Sequence, residues 1–245
     1  MNIAIIGYGK MGKEIERVAQ CRKITIKRVF TLENNLRGLG LTDEALKDVD
    51  VCIDFTMPSA VVENIEMVAD CRRNIVVGTT GWFDKLDQVK KIVKAKYIGL
   101  LYSANFSLGM NIFYQIITSA SHWFDMYEFY DVAISEIHHR EKNDSPSGTA
   151  LALGQIVLQH IRRKKEMLHD TSPRQIKPEQ LHMTSTRLGH VVGCHRVLFD
   201  SEADCIELVH TAKNRQGFAL GALLAAEWLR GKKGVFTMKD MLTSP

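Results

Sequence analysis

Apolar residues follow two rhythms along this 245-residue chain. Up to about residue 103 they fall in short, nearly unbroken runs at 3–7, 25–30, 51–55, 75–79 and 97–103. Continuous apolar runs of that length predict strands buried on both faces of a parallel sheet. Between them, 11–20, 59–71 and 84–95 carry the spacing of amphipathic helices. Strand–helix alternation of this kind predicts βαβ units and an α/β fold with a Rossmann-like, doubly wound parallel sheet.

The rhythm changes near "SANFSLGMN" (103–111). An apolar helix is expected over 109–124, then a strand over 129–138, then a helix opening near Ser147 and running to about Leu168. A polar loop follows at 169–180. Strands are expected over 182–187, 190–199 and 204–212, with turn signals at Arg187–Gly189 and Asp200–Asp204. Consecutive strands with short turns imply a second α+β domain around a mixed or antiparallel sheet, covering about 107–215. The strongly apolar helix at 217–231 is expected to return to the first domain, which therefore comprises 1–106 and 216–245.

Composition narrows the class. The chain is 45% hydrophobic and 24% charged, suiting a globular protein with a large core. Lys and Arg number 32 against 28 Asp and Glu, a net charge of +4. That excess fits small anionic ligands and is too diffuse for nucleic acid. The most basic run, 160–168, reads as the tail of an amphipathic helix whose cations complement the helix dipole. Five cysteines, odd in number and without C-x-x-C, read as reduced thiols of a cytoplasmic protein. No apolar run approaches the roughly 20 residues of a membrane span, and "NIAIIG" opens directly as a strand without a targeting leader.

Chemistry enters at "IAIIGYGKMGKEIERVAQ". Gly7, Gly9 and Gly12 stand in G-x-G-x-x-G spacing between a strand and a helix, with Tyr8, Lys10 and Met11 among them. Gly7 permits the tight turn, Gly9 lets backbone approach a pyrophosphate, and Gly12 allows close helix–strand packing, so a dinucleotide is expected here. An acid about 20 positions further on usually meets the adenosine ribose. Here Thr31 and Leu32 occupy that place, Glu33 comes slightly late, and Lys27, Arg28 and Arg37 lie near enough to serve a 2′-phosphate, so NADPH and NADH both stay open. "DFTMP" (54–58, with Phe55) and "GTTGW" (78–82, with Gly78, Thr79 and Thr80) fall at strand carboxyl ends, where ligands bind in such sheets.

A second constellation is "EIHHREKNDSPSGTA" (136–150). Lys142 offers a point charge, while Ser147, Gly148 and Thr149 open a helix whose dipole favours an anion. Histidine titrates near neutrality and suits proton transfer. Adjacent histidines on a strand point to opposite faces, so at most one of His138 and His139 aims directly into a given site. The remaining histidines show no metal-ligand spacing, no metal is expected, and His195 in "GCHR" is the one placed to face the site from the second sheet.

Taken together, "GYGKMG", "DFT", "GTTG", "ANFSLGMN" and above all H-H-x-x-K-x-D-x-P-S-G-T-A resemble the dihydrodipicolinate reductase family over essentially the whole chain, including "HTAKNRQGFALGALLAAEWL". The stretch 34–49 is short, making this a compact version. The resemblance implies hydride transfer from NADPH or NADH to 4-hydroxy-tetrahydrodipicolinate, with loss of water, in diaminopimelate and lysine biosynthesis. It implies that His138 donates and accepts the proton, that Lys142 is a second acid or carboxylate anchor, and that His139, Ser147, Gly148 and Thr149 bind the dicarboxylate substrate. On the cofactor side it implies residues 7–12, Gly78, Thr79, Thr80, and Ser103, Ala104, Asn105 and Phe106; Thr31, Glu33 and Phe55 are expected to join them from their places at strand ends. It further implies a homotetramer built through the sheet of the second domain. A different small dinucleotide-dependent reductase, or a nucleotide-sensing regulator, would need its own substrate or partner signature.

Overall fold

The first five apolar runs become parallel neighbours. Strands β1 (Asn2–Ile6), β2 (Thr25–Phe30), β3 (Val51–Asp54), β4 (Asn74–Val77) and β5 (Gly99–Tyr102) are joined by helices α1 (Lys10–Cys21), α2 (Val61–Asp70) and α3 (Leu86–Lys96). The structure is a computed structural model that describes residues 1–169 and 175–243. Every residue of β3 and β4 is buried, because helices cover both faces, and this is why their sequences run apolar without alternating. Each fully buried Ile, Val or Leu contributes about 1.5–3 kcal/mol relative to exposure. β2 departs from the expectation of a buried strand: Thr25, Lys27 and Arg28 are exposed, since β2 pairs only with β1 and forms the sheet edge.

A second compact unit spans Gly109–Asn214. Its elements are α4 (Leu108–Asp125), β6 (Asp131–His138), α5 (Gly148–His160), β7 (Glu166–Leu168), β8 (Gln180–Arg187), β9 (Gly193–Asp200) and β10 (Cys205–Ala212). The sheet is mixed, in the order β10-β9-β6-β8-β7: β10, β9 and β6 pair antiparallel, and β6, β8 and β7 parallel. One face packs on α4 and α5 through Phe113, Ile117, Leu153 and Val157 against Val132, Ile134, Met183, Val197 and Phe199. The other face carries half-exposed Ala133, Ser135 and Ile137 and exposed Thr184, Thr186 and Arg196.

The helix expected to reach Leu168 ends at His160, and Glu166–Leu168 is a strand. The reason lies in the cations. Arg162 pairs with Asp125 at 2.7 Å, Arg163 donates to the Phe124 and Tyr130 carbonyls, and Lys164 donates to the Pro178 and Gln180 carbonyls at 2.8 Å each. The basic run is therefore a tie between elements, with Lys164 buried, and not a helix tail. Of the polar loop expected at 169–180, residues 170–174 lie outside the described residues.

The chain then returns to the first unit, which comprises Met1–Leu108 and the segment from Arg215 onward. Helix α6 (Gln216–Leu229), strand β11 (Gly234–Thr237) and helix α7 (Met238–Thr243) complete it. The apolar helix packs as expected: Ala219, Ala222, Leu223 and Ala226 join Ile3, Ile5, Val51 and Ile53 in one core. A methyl group at Gly221 would lie 1.7 Å from the Phe106 carbonyl oxygen, so only glycine allows this approach. β11, not expected from the sequence, pairs parallel with β5 and gives the order β11-β5-β4-β3-β1-β2. The order reverses between β1 and β3, the switch point where such sheets bind ligands.

Candidate active site

In the first unit the glycine turn sits where β1 ends and α1 begins. Gly7 takes a left-handed φ of +91°, and a side chain there would strike the Phe55 carbonyl oxygen at 2.6 Å. A Cβ on Gly12 would strike the Gly7 carbonyl at 2.2 Å, whereas one on Gly9 would meet nothing within 4 Å. Bare backbone with open space at Gly9, next to the N–H groups that open α1, fits a dinucleotide pyrophosphate. A cavity of about 470 Å³ adjoins the turn, lined among others by Tyr8, Thr31, Glu33, Phe55 and Asn64. A second cavity brings Lys10 and Met11 together with Phe55, Gly78, Thr79 and Thr80.

These cavity walls are pinned from below by Asp54, which is fully buried. Its carboxylate accepts from the Thr56 N–H and hydroxyl, the Asn64 amide and the Thr79 hydroxyl, all at 2.8–3.0 Å. Burial pushes its pKa above the usual carboxylate value, and these four bonds offset only part of that rise. So "DFT" and "GTT" are one hydrogen-bonded unit. The segment 103–106 makes a tight turn in which the Ser103 hydroxyl donates to the Asn105 carbonyl at 2.8 Å. Phe106 is buried in the core, its ring 5.9 Å from that of Phe55, and Ser103, Ala104, Asn105 and Phe106 line neither cavity.

In the second unit, β6 changes character along its length. Its buried face begins with Val132 and Ile134 and ends with Glu136 and His138. Register brings Glu136 level with Ser185 on β8 and His195 on β9, and His138 level with Arg187. Glu136 is 1% exposed, His138 7% and His195 5%. Oε1 of Glu136 accepts from the Ser147 N–H at 3.0 Å and from both terminal nitrogens of Arg187 at 3.2 Å. Oε2 lies 2.9 Å from Nδ1 of His138, a short but oblique approach, and 3.7 Å from Nε2 of His195.

Burial alone would raise the Glu136 pKa. The contact with His138 and the bonds from Ser147 outweigh it and hold the carboxyl well below the usual carboxylate range. Burial, with His138 adding to it, pushes His195 down to about 4. Ser147 caps α5, its hydroxyl oxygen accepting from the Ala150 N–H at 3.1 Å and lying 3.2 Å from Nε2 of His195. Gly148 is exposed at the helix start, and the Thr149 hydroxyl meets Tyr114 of α4. Lys142 pairs with Asp144 at 2.7 Å, whose backbone carbonyl accepts from Arg187.

Two family models match the chain end to end: "Dihydrodipicolinate reductase, N-terminus" over residues 1–106 and "Dihydrodipicolinate reductase, C-terminus" over 109–242. The chain belongs to the dihydrodipicolinate reductase family. The 4-hydroxy-tetrahydrodipicolinate reductase of Christiangramia forsetii is 40% identical over 243 residues, covering 99% of this chain and 98% of the relative. That of Archaeoglobus fulgidus is 36% identical, covering 99% and 100%. The solved dipicolinate-bound dihydrodipicolinate reductase from Paenisporosarcina sp. TG-14 has a TM-score of 0.76 at 23% identity, over 97% of both chains, a likeness of fold.

For this dihydrodipicolinate reductase family member, the geometry gathers Ser147 and His138 around one carboxylate and ties Lys142 to the same group through Asp144. His139 lies on the other face, as alternation requires, with no contact to Glu136. His195 joins the cluster from β9, as its position in "GCHR" suggested. Sequence reading missed Glu136, which looks like one more polar position, and Arg187, which reads as a turn marker. The signal for Glu136 was its place two residues before His138, the spacing that puts both on one strand face.

Proposed function

We propose that the chain is an NAD(P)H-dependent reductase of 4-hydroxy-tetrahydrodipicolinate. The reading rests on one observation above the others: a buried carboxylate–histidine cluster stands beside a cationic, N–H-rich helix start, in a chain of this family. The reduced nicotinamide supplies the hydride. The protein does the rest: Lys142 and the N–H groups of Gly148 and Thr149 receive a substrate carboxylate, His139 adds a contact, and His138 delivers a proton as electron density builds on the ring. Water leaves and tetrahydrodipicolinate remains. Residues 7–12 hold the pyrophosphate, with the walls at Phe55, Gly78, Thr79 and Thr80 and the turn at 103–106 completing the dinucleotide site. The first unit is thus the dinucleotide-binding domain and the second the substrate-binding and oligomerisation domain.

For the cofactor we propose NADH ahead of NADPH. Glu33 is the charged side chain lining the larger cavity, whereas Lys27 and Arg28 line a different depression with Glu16 and Gln20 on the β2 edge. A carboxylate there accepts from a ribose hydroxyl and repels a 2′-phosphate. Glu33→Ala is expected to narrow the NADH-to-NADPH ratio of kcat/KM by about tenfold or more. We also propose a homotetramer through the half-exposed sheet face, tested by sedimentation velocity, and a cytoplasmic setting, supported by five free cysteines.

The deciding assay follows NADH and NADPH oxidation by absorbance, with substrate generated in situ from pyruvate and aspartate semialdehyde by the preceding synthase. Turnover that falls about 100-fold or more in His138→Gln is the expected result. A folded protein inert with both cofactors would overturn the assignment.

A further inference from the structure

We propose that Glu136 is a positioning residue for His138: it keeps a proton on Nδ1, turns Nε2 toward the substrate, and stabilises the imidazolium that serves as the acid. The proposal deepens the reductase reading above and rests on it for the identity of the acid.

The carboxylate's two oxygens are divided. Oε1 accepts from the Ser147 N–H and the Arg187 fork, while Oε2 is the oxygen that faces the two histidines, with the Ser147 and Ser185 hydroxyls also near the group. An ionised carboxylate only accepts. A nitrogen 2.9 Å from it is favoured in its protonated form even at an oblique angle, because the carboxylate attracts an N–H dipole and repels a lone pair. That favours the Nδ1–H form of the neutral ring and leaves Nε2 as the nitrogen that exchanges protons with a ligand. Room for this orientation comes from Gly193 across the sheet, where even a methyl group would come within 2.9 Å of Nε2.

His195 cannot take the same role. Its Nε2 stands 3.7 Å from Oε2 and 3.2 Å from the Ser147 hydroxyl, and burial keeps that ring neutral. Arg187 and the Ser147 N–H keep Glu136 ionised while its neighbour cycles. In each turnover the Nε2–H bond of the imidazolium breaks and its proton goes to the substrate atom that receives the electron pair displaced by hydride. His138 is left as the Nδ1–H form, and Nε2 is reprotonated from water. The charged and titratable groups facing this pair are Arg187 on β8, His195 on β9 with His210 beside it on β10, and Lys142 and Asp144 in the loop after β6.

The test compares wild type with Glu136→Gln and Glu136→Asp. In Glu136→Gln, kcat is expected to drop about 100-fold with the KM for the nicotinamide cofactor unchanged. The alkaline limb of its pH–kcat profile is expected to move down by about one unit or more. Glu136→Asp keeps the charge and should restore part of both. Two-bond ¹H–¹⁵N spectra of the wild-type imidazoles should show His138 as the Nδ1–H tautomer at high pH. A neutral His138 protonated on Nε2 in wild type would overturn the proposal, whether or not the variants fold. So would a folded Glu136→Gln enzyme with an unshifted pH profile. Because the tautomer is read without substrate, absent reductase activity would overturn the functional reading while leaving this measurement to judge Glu136.

Discussion

At the scale of single residues, space matters as much as chemistry. Gly193 has no functional atom, yet a Cβ there would press on Nε2 of His138 at 2.9 Å and on Cδ2 at 3.3 Å. Gly193→Ala is expected to lower kcat by about 10–100-fold through a displaced ring, since shifts near 1 Å can cost that much. Its melting temperature should stay within a few degrees of wild type, and steady-state kinetics beside a thermal melt checks both halves. His138 was legible from the sequence, whereas Glu136, two positions earlier on the same strand face, was passed over as one more polar residue. Its partner Arg187 was not legible either, because its contact is made across 51 positions of chain by strand register.

At the scale of elements, β6 shows how one strand builds both core and site. Its first two buried positions seal against α4 and α5, and its last two are Glu136 and His138, the carboxylate being met by the capped start of α5 and by Arg187 at the end of β8. The Ser147 hydroxyl is part of this joint, and Ser147→Ala is expected to cost about 1 kcal/mol in chemical denaturation through the lost cap alone. Lys164→Ala should cost more, about 2 kcal/mol or above, because it leaves two carbonyls without their buried cationic donor. The extent of α5 was misread for a physical reason. Arg162, Arg163 and Lys164 have good helix propensity, and only tertiary partners on Asp125, Tyr130 and Pro178 pull them out of the helix. Long periodic helices and continuous buried strands were readable, whereas three- and four-residue strands such as β7 and β11 exist only through the neighbours they pair with.

On the scale of the whole molecule, the buried histidine gives a pH dependence of stability. His195 has its pKa lowered from about 6.5 to about 4 by burial first and by His138 next, with His210 and Lys142 adding and Glu136 opposing. Between those values the unfolded chain binds more protons than the folded one, so stability rises with pH across that window and falls as the solution is acidified. The effect is on the order of 3 kcal/mol. Denaturant melts at pH 7 and pH 4.5 should therefore differ more in wild type than in His195→Gln.

The first unit is assembled from both ends of the chain. Its sheet receives β11, and one of its faces receives α6, only after the residues of the second unit have been made; Arg22 meets Glu227 across 205 positions. On the ribosome, the nascent β1–β5 region would thus emerge with Ile3, Ile5, Val51 and Ile53 lacking their α6 partners, while the second unit is one unbroken stretch with its own core. Local contacts form fast and distant ones slowly. The nucleotide-binding half of this enzyme would therefore mature last, and a chaperone that shelters exposed apolar strands would find its client in that interval.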